Sequence, residues 1–484
     1  MGLLGIAIGL GLLVGLAYRG WSILLLAPAA SLVAALFARE PLLAHWTQTF
    51  MGAAAHFVGQ YFPLFLLGAL FGKLMEDSGS VTAVADAMTR WLGPGRTILA
   101  VVLAGALVTY GGVSLFVAFF VLAPMAQKMF RASGIPRRLM PAAIVLGTST
   151  FTMSAMPGTP SIQNAIPMPI FGTTPFAAPG LGLIASAIML AFGLWWLRRA
   201  ETLARGAGEA FGEGSPPSAQ VLAADDKLRE RAVIAREFDP AEIDHGPPAS
   251  RPPGVVVAML PLAIVILVNL TLSLIVLPRL DFTYLGEARW GATSFAAVAG
   301  VWSVAVALAS ACITVVLLNR ARLPSLRESV DAGANASVLP VLSVASLVGF
   351  GAVVAAMPAF AVVRDAVLGV GGGPLVSLAA STNALSALTG SASGGLTIAL
   401  DTLGPTYLAR AAEIGLSPDL LHRVAVIGAG TLDSLPHNGA VISLLSVCGA
   451  THRDSYRDIV LVGIAGPIVA LLGVILLGSM LGSF

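Results

Sequence analysis

Long apolar runs separated by short basic loops set the pattern of the chain. Runs long enough to cross a bilayer as helices lie at 2–17, 21–38, 51–72, 139–170, 178–197, 254–277, 293–318, 335–357, 419–447 and 458–482. Two of them, 139–170 and 419–447, exceed one crossing and carry proline and polar residues in mid-run, which predicts broken helices. Runs 98–127 and 376–404 are interrupted near the middle by "TYGGVS" (109–114) and "TGSASGG" (389–395). An apolar segment that folds back at a Gly/Ser tip is a re-entrant hairpin, tolerated at membrane depth where protein or a wet cavity surrounds the tip.

The basic residues test this count. With ten crossings and two hairpins that do not cross, Arg19, Lys73, Arg90, Arg96, Lys128, Arg131, Arg137, Arg138, Arg198, Arg199, Arg320, Arg322, Arg327, Arg453 and Arg457 fall on one side. The other side holds Arg39, Arg279, Arg289, Arg364 and Arg410, each with an acid nearby. The positive-inside rule makes the rich side cytoplasmic and places both termini in the periplasm. The N-terminal run has no basic residues before it, so it is expected to be a retained helix and not a cleaved signal.

Composition agrees with a polytopic membrane protein. Hydrophobic residues make up 57% of the 484 and charged residues 11%, against about 25% charged in soluble domains. The net charge of +2 gives no reason to expect a nucleic-acid partner. Cys312 and Cys448 form neither a disulfide framework nor a metal-ligand spacing. Residues 198–253 are the one long hydrophilic stretch, with mixed charge and "SPPS" and "GPPASRPPG" punctuation, and are expected to be a cytoplasmic linker between domains 1–197 and 254–484.

The two domains carry a repeat. Residues 110–150 align with 391–431 without a gap, and nine of 41 columns are identical, among them Pro124/Pro405 and Gly147/Gly428; chance would give about three or four in so biased a composition. Each half has five crossings, an odd number, so the expected fold is all-α, with two inverted repeats of five transmembrane helices, each containing one re-entrant hairpin and one broken helix. Interrupted helices in inverted repeats point to a secondary transporter with a midplane site.

Four elements are then expected to converge: the two tips and the breaks "SAMPGTPSIQN" (154–164) and "TLDSLPHN" (431–438). Half-helix N-termini bind carboxylates without arginine or lysine, and the three lysines and most arginines lie outside this region. The candidate substrate-binding residues are Gly111, Gly112, Ser114, Ser154, Gly158, Thr159, Ser161, Gln163, Asn164, Ser391, Ser393, Gly394 and Asn438. Their hydroxyls and amides suit a small hydroxylated or carboxylated solute, although small polar residues also join helices without binding anything.

Asp433 and His437 are the candidate proton-coupling pair, since an ionisable residue inside the bilayer is costly and histidine titrates near neutral pH. A structural Asp–His hydrogen bond and a Na⁺ site at Asp433 are the other readings. Their i, i+4 spacing shares a helix face if the turn survives Pro436. Asp401, at the end of the second hairpin, is expected to be an interfacial helix-end charge. Gly5/Gly9 and Gly11/Gly15 are GxxxG spacings for close helix packing. A membrane enzyme would need a nucleophile, metal cluster or phosphate loop beside the Asp–His pair, and none is evident.

"GSASGGLTIALDTLGP" (390–405), "SAMPGTPSIQNAIP" (154–167) and "TLDSLPHNGAVISLL" (431–445) resemble the gluconate permease (GntP-type) family of bacterial symporters. That family lies within a wider ion-transporter superfamily of divalent-anion and citrate carriers. The resemblance implies a homodimer in the bacterial inner membrane, with a scaffold part and a mobile transport part working as an elevator. It also implies proton symport of a small organic anion, a hydroxylated monocarboxylate such as a sugar acid or 3-hydroxybutyrate, with no bound cofactor. Na⁺-coupled di- or tricarboxylate symport is the alternative, although the tips lack the Ser-Asn-Thr signature of the divalent-anion carriers.

Overall fold

The computed structural model describes residues 2–17, 21–211, 252–323, 325–436 and 438–484, all helix, turn or irregular chain. The first half runs α1 (Gly2–Ala17), α2 (Ile23–Ala38), α3 (Leu42–Asp77), α4 (Ser80–Leu92), α5 (Thr97–Tyr110) and α6 (Leu115–Ala132). It continues with α7 (Met140–Thr148), three fragments, α8 (Phe151–Ser154), α9 (Ile162–Ala165) and α10 (Pro167–Phe171), and then α11 (Pro179–Gly206). The second half runs α12 (Val255–Arg279), α13 (Phe295–Asn319), α14 (Leu326–Ala356), α15 (Phe360–Leu368), α16 (Gly373–Thr389), α17 (Ala392–Glu413), α18 (Pro418–Thr431), α19 (Gly439–Val447) and α20 (His452–Leu481).

Helices α3, α11, α12, α13, α14 and α20 are long and apolar enough to cross a membrane. Local chemistry sets several boundaries. Gly390, at φ +65°, ends α16 in the left-handed region that glycine reaches without a Cβ clash. Ser325 and Glu328 open α14 with the Ser-x-x-Glu spacing, the Ser325 hydroxyl accepting from the Glu328 N–H. Helix α11 continues through Arg198 and Arg199 to Gly206, so the first part of the stretch expected as linker is helical; residues 212–251 lie outside the described residues. The paired helices also run longer than the apolar runs that announced them. In particular, α17 passes through Pro405 to Glu413, so Asp401 is exposed in mid-helix and not at a helix end.

Packing divides the helices into two groups. Helix α3 packs on α13 and α14, and α14 also meets α2 and α17. In the other group α5 packs on α7, α16 on α18, and α11 along α20. Two glycines that coincide in the gapless alignment allow two of these contacts. A Cβ on Gly147 would lie 2.3 Å from the Val102 carbonyl oxygen of α5, and one on Gly428 would lie 2.4 Å from Thr382 Oγ1 of α16. The spacing Gly5/Gly9 packs α1 against Ala30 and Ala34 of α2, whereas a Cβ on Gly11 or Gly15 would have none of the described residues within 4 Å.

Candidate functional site

The first tip joins α5 to α6 through Gly111, Gly112 (φ +98°) and Val113, and Ser114 stands at the N-cap of α6 without a capping bond. The second tip is Gly390–Ser391, where Ser391 Oγ accepts from the Gly394 N–H at 3.3 Å and so caps α17. Ser114 and Ser391 thus occupy the same position, whereas the gapless alignment pairs Ser114 with Gly395, one helical turn away. Break one has almost no regular structure, because Pro157, Gly158 and Pro160 leave helices of only four residues on either side. Ser161 Oγ ties it together, donating to the Met153 carbonyl at 2.8 Å and accepting from the Asn164 N–H at 3.4 Å. In break two, α18 stops at Thr431, and Asn438 restarts the helix by accepting from the Ala440 N–H at 2.7 Å.

All four segments meet at one cavity of about 240 Å³. Gly112 and Ser114 enter from the first tip, Ser161 and Gln163 from break one, Ser391 and Ser393 from the second tip, and Asp433 from break two. Helices α3 and α14 close it with Leu64, Phe65, Gly68, Ala69, Ala336, Ser337, Pro340 and Val344. The volume is below the ~300 Å³ at which drug-sized pockets begin, so the space fits a small solute. Asp433 is the only ionisable side chain among the described residues that line it.

Asp433 is held at the second tip. Its Oδ1 accepts from the Ala392 N–H, the first of α17, at 2.9 Å and from Asn438 Nδ2 at 2.9 Å. Asn438 Nδ2 also donates to the Gly390 carbonyl at 3.1 Å. A protein carboxylate therefore sits on the positive end of one half-helix, which stabilises both. Residues 432–436 are non-helical, so Asp433 has no i, i+4 face to share; Pro436 and the turn before it remove the helix the spacing needs. His437 lies outside the described residues.

The other candidates stand outside the cavity. Gly111 packs on Leu262, Gly158 (φ +78°) on Phe176, and Gly394 on Leu347. Ser154 is buried and donates to the Thr150 carbonyl at 3.1 Å, the back-bond of a small hydroxyl inside a helical turn. Thr159 and Asn438 are buried, Asn438 as the cap just described. Asn164 is fully buried and structural: Nδ2 donates to the Thr159 and Pro175 carbonyls at 3.1 and 3.0 Å, and Oδ1 meets His422 Nε2 at 3.1 Å.

Sequence reasoning missed two groups. Thr109, Thr148 and Ser337 also line the cavity, and only packing reveals which of many threonines and serines do so. Lys73, expected away from the core, is buried and paired with Asp77 at 3.1 Å, and Arg423, given no role within the run 419–447, is fully buried. A signal for the second was present: "LLHRVAV" (420–426) places a histidine and an arginine inside an apolar run, where ionisable residues are costly.

A family model described as GntP family permease matches residues 1–171. The uncharacterized transporter YxjC of Bacillus subtilis is 40% identical over 466 residues, covering 95% of each chain. Two solved structures share the fold: the Alcanivorax borkumensis YdaH transporter, with TM-score 0.55 and 17% identity over 91% of this chain and 89% of that one, and Neisseria gonorrhoeae MtrF, with TM-score 0.53 and 15% identity over 90% and 85%. The MtrF work describes a class of antimetabolite efflux pumps. With 40% identity over 95% of its length, and with helices long and apolar enough to cross a bilayer, the chain is a multi-pass membrane transporter that belongs to the GntP family of permeases.

Proposed function

We propose that this permease imports a small organic anion, a hydroxylated monocarboxylate such as a sugar acid or 3-hydroxybutyrate, by proton symport across the bacterial inner membrane. The observation that carries the reading is the cavity: its described lining offers hydroxyl and amide groups together with one acid and no base. An anion entering beside an ionised Asp433 would meet like charge at close range, so entry is favourable only together with a cation. A proton on Asp433, relayed with His437, supplies that cation. Gly112, Ser114, Ser161, Gln163, Ser391 and Ser393 are the side of the cavity that recognises the solute.

Alternating access in this reading is an elevator. Element order supports two repeats: three helices, a short helix, a helix pair, a broken helix and a long helix occur in the same sequence in each half. Counting the helix pairs as re-entrant inverts the second half relative to the first and leaves both termini periplasmic. The α3–α13–α14 group is the scaffold, the elements around the cavity's tips and breaks move, and a homodimer steadies the scaffold. The test is tracer uptake into proteoliposomes under an imposed inward H⁺ gradient, with and without Na⁺, competed by gluconate, 3-hydroxybutyrate, lactate, citrate and D-serine. Accumulation on ΔpH alone, blocked by a hydroxy acid, supports the reading; uptake that requires Na⁺ and ignores ΔpH overturns proton coupling in favour of Na⁺-coupled carboxylate transport.

A further inference from the structure

Break one is too short of helix to hold its own shape, yet it delivers Ser161 and Gln163 to the cavity. Something outside it must fix the loop between α8 and α11. Two consecutive side chains of α18, from the other half of the chain, touch both ends and the middle of that loop. Arg423 is fully buried and lies between its flanks: Nε and Nη2 donate to the Ala177 carbonyl at 3.1 and 2.6 Å, and Nη1 donates to the Ser154 carbonyl at 3.4 Å. Among the described residues no carboxylate comes within ion-pair distance of it; Asp419, one turn earlier on α18, acts on it at longer range, and its directed bonds go to backbone carbonyls. His422, also fully buried, bridges Thr173 Oγ1 at 2.6 Å and Asn164 Oδ1 at 3.1 Å. Asn164 spends both of its N–H groups on carbonyls of the loop, so its Oδ1 accepts and His422 Nε2 carries the hydrogen. Neither side chain reaches the cavity.

We propose that His422 and Arg423 are positioning residues that template the first half's cavity wall from the second half, through Asn164 and the Ser154 and Ala177 carbonyls. Burying an arginine and a histidine among apolar helices is costly. The guanidinium fork is the side chain that can span two carbonyl oxygens with directed bonds, which an ammonium group cannot reproduce. One consequence is that α18 links the two breaks, since it ends in break two and holds break one, alongside Tyr61 of α3 and Asn269 of α12, which donate to the Ile166 and Gly158 carbonyls at 3.0 Å each. The proposal rests on reading the cavity as the solute site, but its test does not depend on which solute is carried.

The test measures where the loop points. In full-length protein with Cys312 and Cys448 replaced by alanine, Gln163→Cys reports break one, and Ser393→Cys reports the second tip, which neither residue touches. Each is labelled by a charged methanethiosulfonate with and without His422→Leu or Arg423→Gln. The expected result is a change of roughly tenfold or more in labelling rate at position 163, the size of one buried hydrogen bond left unmade, with position 393 unchanged. His422→Gln, which can still donate to Asn164 Oδ1, is expected to restore the rate, and Arg423→Lys is not. If Arg423→Gln does not assemble, the His422 pair of variants decides alone. Equal labelling at 163 in all backgrounds overturns the proposal, as does a parallel change at 163 and 393, which would mean general loosening. Failure of proton-driven uptake in the wild type would overturn the transport reading and leave this result standing.

Discussion

Asp433→Asn separates coupling from structure. Asparagine keeps the volume and one acceptor oxygen, so the Ala392 N–H and Asn438 Nδ2 retain a partner. Two bonds to an ionised acceptor become two bonds to a neutral one, a loss of about 2 kcal/mol at most, which a folded membrane protein tolerates. Under the proposed coupling, in which Asp433 is the one ionisable group of the described lining and carries the proton, one proton accompanies each anion. For a monocarboxylate that cycle moves no net charge, and each pH unit across the membrane supplies about 1.4 kcal/mol, or roughly tenfold accumulation. Wild-type protein in liposomes is therefore expected to concentrate its anion roughly a hundredfold on a gradient of two units. The variant cannot exchange a proton at this position, and its internal-to-external ratio is expected to stay near unity at every ΔpH. The assay follows labelled gluconate or 3-hydroxybutyrate to a plateau at several imposed gradients and reads the slope of log ratio against ΔpH, near one for wild type and zero for the variant. A variant slope near one would refute the assignment of coupling to Asp433.

Other variants probe the rest of the framework. His437→Gln is expected to flatten the pH dependence of transport, and an intact pH profile would remove His437 from the proton path. Gly395→Ala places a Cβ 2.2 Å from the Ser386 backbone nitrogen; the backbones of α16 and α17 must separate, at a cost of about 1–3 kcal/mol, read as a lower melting temperature in detergent, while Gly11→Ala, with nothing within 4 Å, serves as the neutral control. Arg138→Ala removes a partner at 2.7 Å from the buried Asp458, which keeps the Trp196 Nε1–H at 3.0 Å and the nearby Arg457 charge; because Arg138 is part-exposed, the expected loss is a modest 1–2 kcal/mol or so, and no change in melting temperature would show the pair to be ornamental.

The sequence by itself determined the class of molecule and the order of its parts. Apolar length, the sorting of basic loops and the interruptions at 109–114, 154–164, 389–395 and 431–438 are local properties, written in consecutive residues, and the helix pairs and broken helices appear where those signals lie. Proline and glycine make breaks wherever they fall, so the breaks could be placed without knowing what surrounds them. Which side chains face the cavity could not be read this way. The breaks have no helical period, so spacing carries no direction there: Ser161 and Gln163 turn inward, whereas Ser154 and Asn164, equally polar, are consumed by backbone carbonyls. The i, i+4 argument for Asp433 has no helix to act on for the same reason, and its described partners, Ala392 and Asn438, come from a tip 41 residues away and from across the turn. Long-range packing also decided the role of His422 and Arg423, whose contacts lie about 250 positions earlier in the chain. Local chemistry fixes where a helix stops; only the assembled helices decide what the freed groups then meet.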